Sequence, residues 1–119
     1  MAKSTMISVP FTQFSMEMRS GKIIEIDEGF TSLLGYTEED VKGGLVFKQF
    51  VPDVEYDEII TVLREKFIEH RYTCYRHEFL TKEGKSMPVV SFYKIQNKLL
   101  DGHRVLKVSV ADIAGIEKE

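Results

Sequence analysis

From Phe14 the chain alternates, with Phe14, Met16 and Met18 on one side and Ser15, Glu17 and Arg19 on the other. That is the period of a strand with one buried face. Ser20-Gly21 supplies a turn, and residues 22–26 (KIIEI), rich in β-branched side chains, predict a second strand in a hairpin with the first. The period then lengthens. Asp27 is placed to cap a short helix carrying Phe30, Leu33 and Leu34 at helical spacing, and Gly35 suits its left-handed end. Thr37 caps another, opened by Glu38, Glu39 and Asp40 where the helix dipole favours anions and stopped by Gly43-Gly44. Pro52-Asp53 opens the one long helix, on which Tyr56, Ile59, Ile60, Leu63 and Phe67 share a face. Asp53, Glu55, Asp57 and Glu58 lead this helix, and Arg64, Lys66 and His70 follow, in the order its dipole favours.

Alternation returns over residues 72–80, 87–95 and 104–113, separated by the loop signals at 81–85 and 97–102. Two strands, a run of helices and three closely spaced strands predict an α+β domain: a five-stranded antiparallel sheet with short helices and one longer helix on one face. No repeat or low-complexity tract divides the 119 residues, a length that suits one domain. The expected layout is an N-terminal extension over 1–13, the domain over 14–115, and the start of a connector over 116–119.

Charge and composition narrow the function. A net charge of −3, with no basic stripe interleaved with aromatics, argues against a nucleic-acid partner. The single cysteine, Cys74, rules out an intrachain disulfide and a multi-thiolate zinc site, and no metal site is expected. No apolar run approaches bilayer length, so the expectation is a cytoplasmic protein without membrane insertion. Gly-x-Ser-x-Gly, Walker and His-Glu-x-x-His motifs are all missing, and the Glu38-Glu39-Asp40 cluster reads as a solvated first turn. A non-catalytic domain is the expectation.

Four blocks of sequence carry a resemblance. Gly21-Lys22-Ile23-Ile24 is followed by Glu28-Gly29-Phe30 and LGYTEEDV from Leu34 to Val41; then come Val51-Pro52-Asp53, Thr81-Lys82-Glu83-Gly84-Lys85, and Val110-Ala111-Asp112-Ile113. In this order they resemble the PAS family of sensor modules over most of the chain. The departures are mild: Asp27 stands where asparagine is common, Glu83 where aspartate is usual, and Ala114 where threonine is common. Asp27 leaves the helix start intact, because aspartate caps about as well as asparagine.

The resemblance implies a sensory or relay domain, bacterial in type, that passes a conformational signal to a covalently linked C-terminal output domain. A diguanylate cyclase or a histidine kinase of a two-component system would be a typical output. It also implies a relay between the helical layer and the sheet, with Glu39 pairing with Lys82 and Asp112 closing the last strand. Two alternatives stand beside it: a ligand-free interaction module, and a haem-binding gas or redox sensor.

No cofactor is expected. The flavin-binding branch of the family uses a Gly-x-Asn-Cys-Arg motif that this chain lacks, and Cys74 falls on a strand. His70, the one candidate haem ligand on the long helix, sits past its apolar stripe. For a small-molecule ligand the candidate contacts are Tyr75, Arg76, His77, Phe79 and Phe92. Tyr75, His77 and Phe79 share one face of their strand and Cys74, Arg76 and Glu78 the other; alternation does not say which faces inward. The favoured reading places Tyr75 and Phe79 in the core with His77 bonded to a neighbouring backbone group; the alternative makes His77 or Arg76 a contact for a small polar ligand. Met6, Ile7, Val9 and Phe11 are apolar for a solvated end and need cover from the sheet or from a second subunit; a homodimer is the expectation.

Overall fold

The computed structural model describes residues 10–66, 72–100 and 102–114. Strands β1 (Phe11–Glu17) and β2 (Ile23–Ile26) are followed by helices α1 (Glu28–Leu34) and α2 (Glu38–Lys42). A 3-10 turn at Phe47–Gln49 leads to α3 (Asp53–Lys66), and β3 (Tyr72–Leu80), β4 (Ser86–Leu100) and β5 (His103–Asp112) complete the fold. The strands form one sheet in the order β2-β1-β5-β4-β3, every neighbouring pair antiparallel. The first and last strands are therefore side by side at its centre, which no local pattern announces.

The predicted caps are in place. The Asp27 carboxylate accepts the Phe30 N–H, and Gly35 takes φ 87° at the end of α1. Thr37 and Asp40 form a reciprocal capping box on α2. Gly29 lets α1 lie directly on β1, since a Cβ there would stand 2.8 Å from the Phe11 carbonyl oxygen.

Three boundaries differ from expectation. β1 begins at Phe11, inside the segment read as an extension; Thr12 looks polar in the pattern yet is fully buried, its hydroxyl donating to Asp27. Residues 18–22 form a wider turn than Ser20-Gly21 suggested, with a register shift between Ser15 and Met16. β4 runs to Leu100, through residues read as loop, because its pairing with β5 resumes at Leu99 and Arg104 after a shift that absorbs the polar stretch.

The core lies between the sheet and the helices. Phe47 and Phe50, from a segment for which the sequence predicted no element, are fully buried at its centre. Phe47 stacks edge-on against Phe50, Phe79 and Tyr93 with centroids 5.3, 6.0 and 6.1 Å away. The Phe47 N–H donates to the Gly21 carbonyl and the Leu80 N–H to the Phe50 carbonyl, so backbone bonds hold this segment between the β1–β2 turn and β3.

Candidate functional site

The inner face of β3 and β4 carries two of the buried polar side chains, His77 and Ser91. β3 turns His77 and Phe79 fully inward and leaves Tyr75 half-buried, while Arg76 and Cys74 lie on the opposite face. On β4, Ser91 and Tyr93 face in and Phe92, 40% exposed, faces out beside Cys74. The five candidate ligand contacts are therefore not brought together. Tyr75, His77 and Phe79 share the covered face, and Arg76 and Phe92 occupy the uncovered one, because successive strand residues point to opposite sides. Arg76 instead bonds Glu78 at 2.8 Å.

His77 is the hub of the inner group. Its Nε2 lies 2.9 Å from the Tyr93 hydroxyl and 3.3 Å from Ser91 Oγ. With Nε2 accepting from Tyr93, the neutral ring carries its proton on Nδ1. Nδ1 is buried without a hydrogen bond, although Glu55 Oε1 of α3 lies 3.4 Å away. An ionised carboxylate at that distance favours the imidazolium and burial opposes it. Burial prevails: the ring is 1% exposed, the carboxylate 27%, and their contact lacks hydrogen-bond alignment. Desolvation, with a smaller push from Arg76, lowers the His77 pKa to about 4.

Glu55 is shifted the other way, its carboxyl raised first by burial and then by Glu58 and Glu78. Tyr75 donates its hydroxyl to Glu58, and chiefly for that reason its pKa rises to about 12. Tyr75 and His77 of β3 thus face two acids of α3, and a ligand or a shift of the helix would act on all four.

A separate set of contacts joins the helical layer to the sheet. Lys82, in the β3–β4 hairpin, pairs with Asp40 at 2.9 Å, not with Glu39. The capping box explains the choice. The Thr37 N–H donates to Asp40 Oδ2 at 2.8 Å, which fixes that carboxylate beside the hairpin, whereas Glu39, one position earlier on the helix, is exposed. The Thr37 amide bond first and the Lys82 ammonium second hold the Asp40 carboxyl below its usual range. The Lys82 N–H also donates to the Leu34 carbonyl at 2.7 Å, so backbone and side chain both tie the hairpin to the α1–α2 layer.

Asp112, on β5, lies near the same hairpin end of β4. It pairs with Val89 of β4, and the neighbouring Ile113 N–H donates to the Pro88 carbonyl at 3.1 Å. Its carboxylate accepts the Ala114 N–H at 3.0 Å, turning the chain as it leaves the sheet. Sequence reasoning missed Asp27 as more than a cap. Besides the Phe30 N–H it accepts the Thr12 hydroxyl and the Gln13 N–H, clamping α1 to β1. Burial would raise its pKa, but those bonds together leave it lowered. The sequence signal was Thr12, a polar residue in an otherwise alternating strand.

Of the remaining candidates, Phe11 is 57% exposed on the uncovered face of β1. Met6, Ile7, Val9 and His70 lie outside the described residues. Among the described residues, no helix is long and apolar enough to cross a membrane, and no group of three or more histidine, cysteine or carboxylate side chains is placed to hold a metal ion.

No protein-family model matches the sequence, and no curated protein does. Solved structures do. A PAS domain from a Colwellia psychrerythraea protein superposes with a TM-score of 0.73 at 15% identity, covering 88% of this chain and 87% of that one. The PAS domain of an HTR-like protein from Haloarcula marismortui gives 0.68 at 20% identity, covering 87% of each chain. A PAS domain from a two-component sensor histidine kinase gives 0.67 at 12% identity, covering 86% of this chain and 84% of that one. Strand order, the helical excursion between β2 and β3 and these superpositions agree: the chain has the PAS fold.

Proposed function

We propose that this domain is a non-catalytic sensory relay, passing a conformational signal from its helical layer to an output domain linked after β5. The observation that carries this reading is the short connection between Lys82 and the exit from the sheet. The hairpin is held to α1 and α2 through Leu34 and Asp40; a few residues further on, β4 holds Asp112 and Ile113 through Val89 and Pro88. Both ends of the connection are main-chain hydrogen bonds, so a shift of the helices moves the start of β4, and with it the exit strand. The similarity to the PAS domain of a two-component sensor histidine kinase supports a histidine kinase as the output; a diguanylate cyclase would be served by the same geometry.

Replacing Lys82 by alanine tests the relay. The pair is exposed and the melting temperature should change little. Amide exchange at Ile113 and Ala114 is expected to speed up by roughly 3-fold or more, with Lys82→Arg restoring most of the protection. Exchange changes confined to residues 80–86 would remove the reading.

The outward face of the sheet supports a homodimer. Phe11, Ala111 and Val90 stand in one cross-strand row, and Phe92 lies in the next. With Met6, Ile7 and Val9 just upstream in sequence, this apolar row is the surface we assign to a second copy. Native mass spectrometry should show the dimer, and Phe11→Asp the monomer; a Phe11→Asp variant that stays dimeric would move the interface elsewhere. The orphaned Nδ1 of His77 favours a second reading, a small polar ligand between α3 and β3, which the same spectra would reveal as added mass.

A further inference from the structure

The outward face of the sheet carries a row of charge that crosses four strands. Glu25 of β2 stands opposite Ser15 of β1, Ser15 opposite Lys107 of β5, and Lys107 opposite Lys94 of β4. These side chains share one side of the sheet, because their strand neighbours Ile26, Phe14, Val108 and Tyr93 turn to the core. Glu25, Lys107 and Lys94 are exposed, and the short Ser15 between them is buried. The acid therefore stands at one end of the row, with two lysines side by side at the other. Like charges directly opposite on neighbouring strands repel.

The chain does not relieve that repulsion from within its described residues. Among them, Glu25, Lys94 and Lys107 form no salt bridge. Neighbouring strands lie about 4.8 Å apart, so the backbones at Glu25 and Lys94, three strands apart, are separated by about 14 Å. Two further acids occupy this face by alternation. Glu17 is buried opposite Val105 and is in no salt bridge, and Glu78 of β3 binds Arg76 and Ser86.

The order of charges along the row is self-complementary. A two-fold axis parallel to the strands and between β1 and β5 exchanges the two ends of the row. Two sheets laid face to face on that axis bring Glu25 of each copy against Lys94 of the other, with Lys107 of that copy one strand away. The same axis sets Phe11 of β1 against Ala111 of the second copy, because these residues are partners across the β1–β5 boundary. Packed sheets stand about 10 Å apart, a gap that a glutamate and a lysine span together. One symmetry operation thus serves both the apolar row and the charged row.

We propose that this row seats the second copy, Glu25 of each chain pairing with Lys94 of the other about a two-fold axis between β1 and β5. The assignment rests on the homodimer reading above. It adds to that reading the axis, the register and the charges that select another copy of this chain.

The test exchanges the charges. Glu25→Lys and Lys94→Glu each set like charges against one another twice in the dimer, and each should weaken it by about 10-fold or more at low ionic strength. Both positions are exposed, and Lys94→Glu also removes the repulsion from Lys107 within the chain, so folding should be retained. The two variants are then mixed in equal amounts, one of them ¹⁵N-labelled, and weighed by native mass spectrometry. The heterodimer should form in preference to either homodimer, since each of its contacts again joins a lysine to a glutamate. A dimeric native protein whose single variants dimerise as tightly, or whose mixture shows no preference for the heterodimer, would overturn the pairing and leave the homodimer standing. A native protein that stays monomeric at high micromolar concentration would remove both.

Discussion

Cutting Phe47 back to alanine is expected to destabilise the domain by about 3–5 kcal/mol, read as a fall in the urea midpoint. The ring is fully buried and lies within 6.2 Å, centroid to centroid, of Phe14, Phe50, Tyr56, Phe79 and Tyr93. These partners come from β1, α3, β3, β4 and the 3-10 turn's own end, so no single element can move in to fill the cavity. Small domains retain about 5–15 kcal/mol in all, and the variant would lose a large share of it. Val54→Ala is the control: at 70% exposure on α3 it should cost less than about 1 kcal/mol. Equal costs for the two variants would mean that the aromatic core has been wrongly placed.

The second large effect is a loss of stability in mild acid that traces to His77. Burial lowers its pKa in the folded protein to about 4, against 6.5 for an unperturbed imidazole. Below pH 6.5 the unfolded chain takes up a proton at this position that the folded one refuses until about pH 4. The stabilisation is therefore complete above 6.5 and is lost as pH falls from 6.5 to 4, by about 3 kcal/mol in total. Glu55 works in the opposite sense, since its raised pKa lets the folded protein bind a proton earlier than the unfolded chain, and it offsets part of the loss at the acid end. Arg76 and Glu78 also act on the ring, in opposite directions. Urea titrations at several pH values should show the slope, and His77→Gln should flatten it. A slope that survives in His77→Gln would assign it to another group.

The two effects separate what is stored in packing from what is stored in a polar contact. Phe47 acts only through volume, at any pH. His77 ties β3 to β4 through Tyr93 and Ser91 and presents Nδ1 to α3, so its protonation would disturb the face of the sheet that meets Glu55. The relay through Lys82 runs along the far end of the same two strands.

Much of this fold is determined by sequence alone. Alternation marks the strands, Asp27, Thr37 and Gly35 set the limits of the short helices, and the four motif blocks point to the PAS fold. Such signals are legible because they depend on neighbours a few residues away: a strand repeats every second residue, and a cap needs only the next turn. Tertiary structure decided the rest. Which face of β3 turns inward depends on which side α3 covers, so Tyr75 and Phe92 could not be sorted beforehand. Phe47 and Phe50 carry no periodic signal and are buried because the β1–β2 turn and β3 hold the ends of their segment. Lys82 chose Asp40 over Glu39 because a capping bond had already fixed one of the two carboxylates at the hairpin.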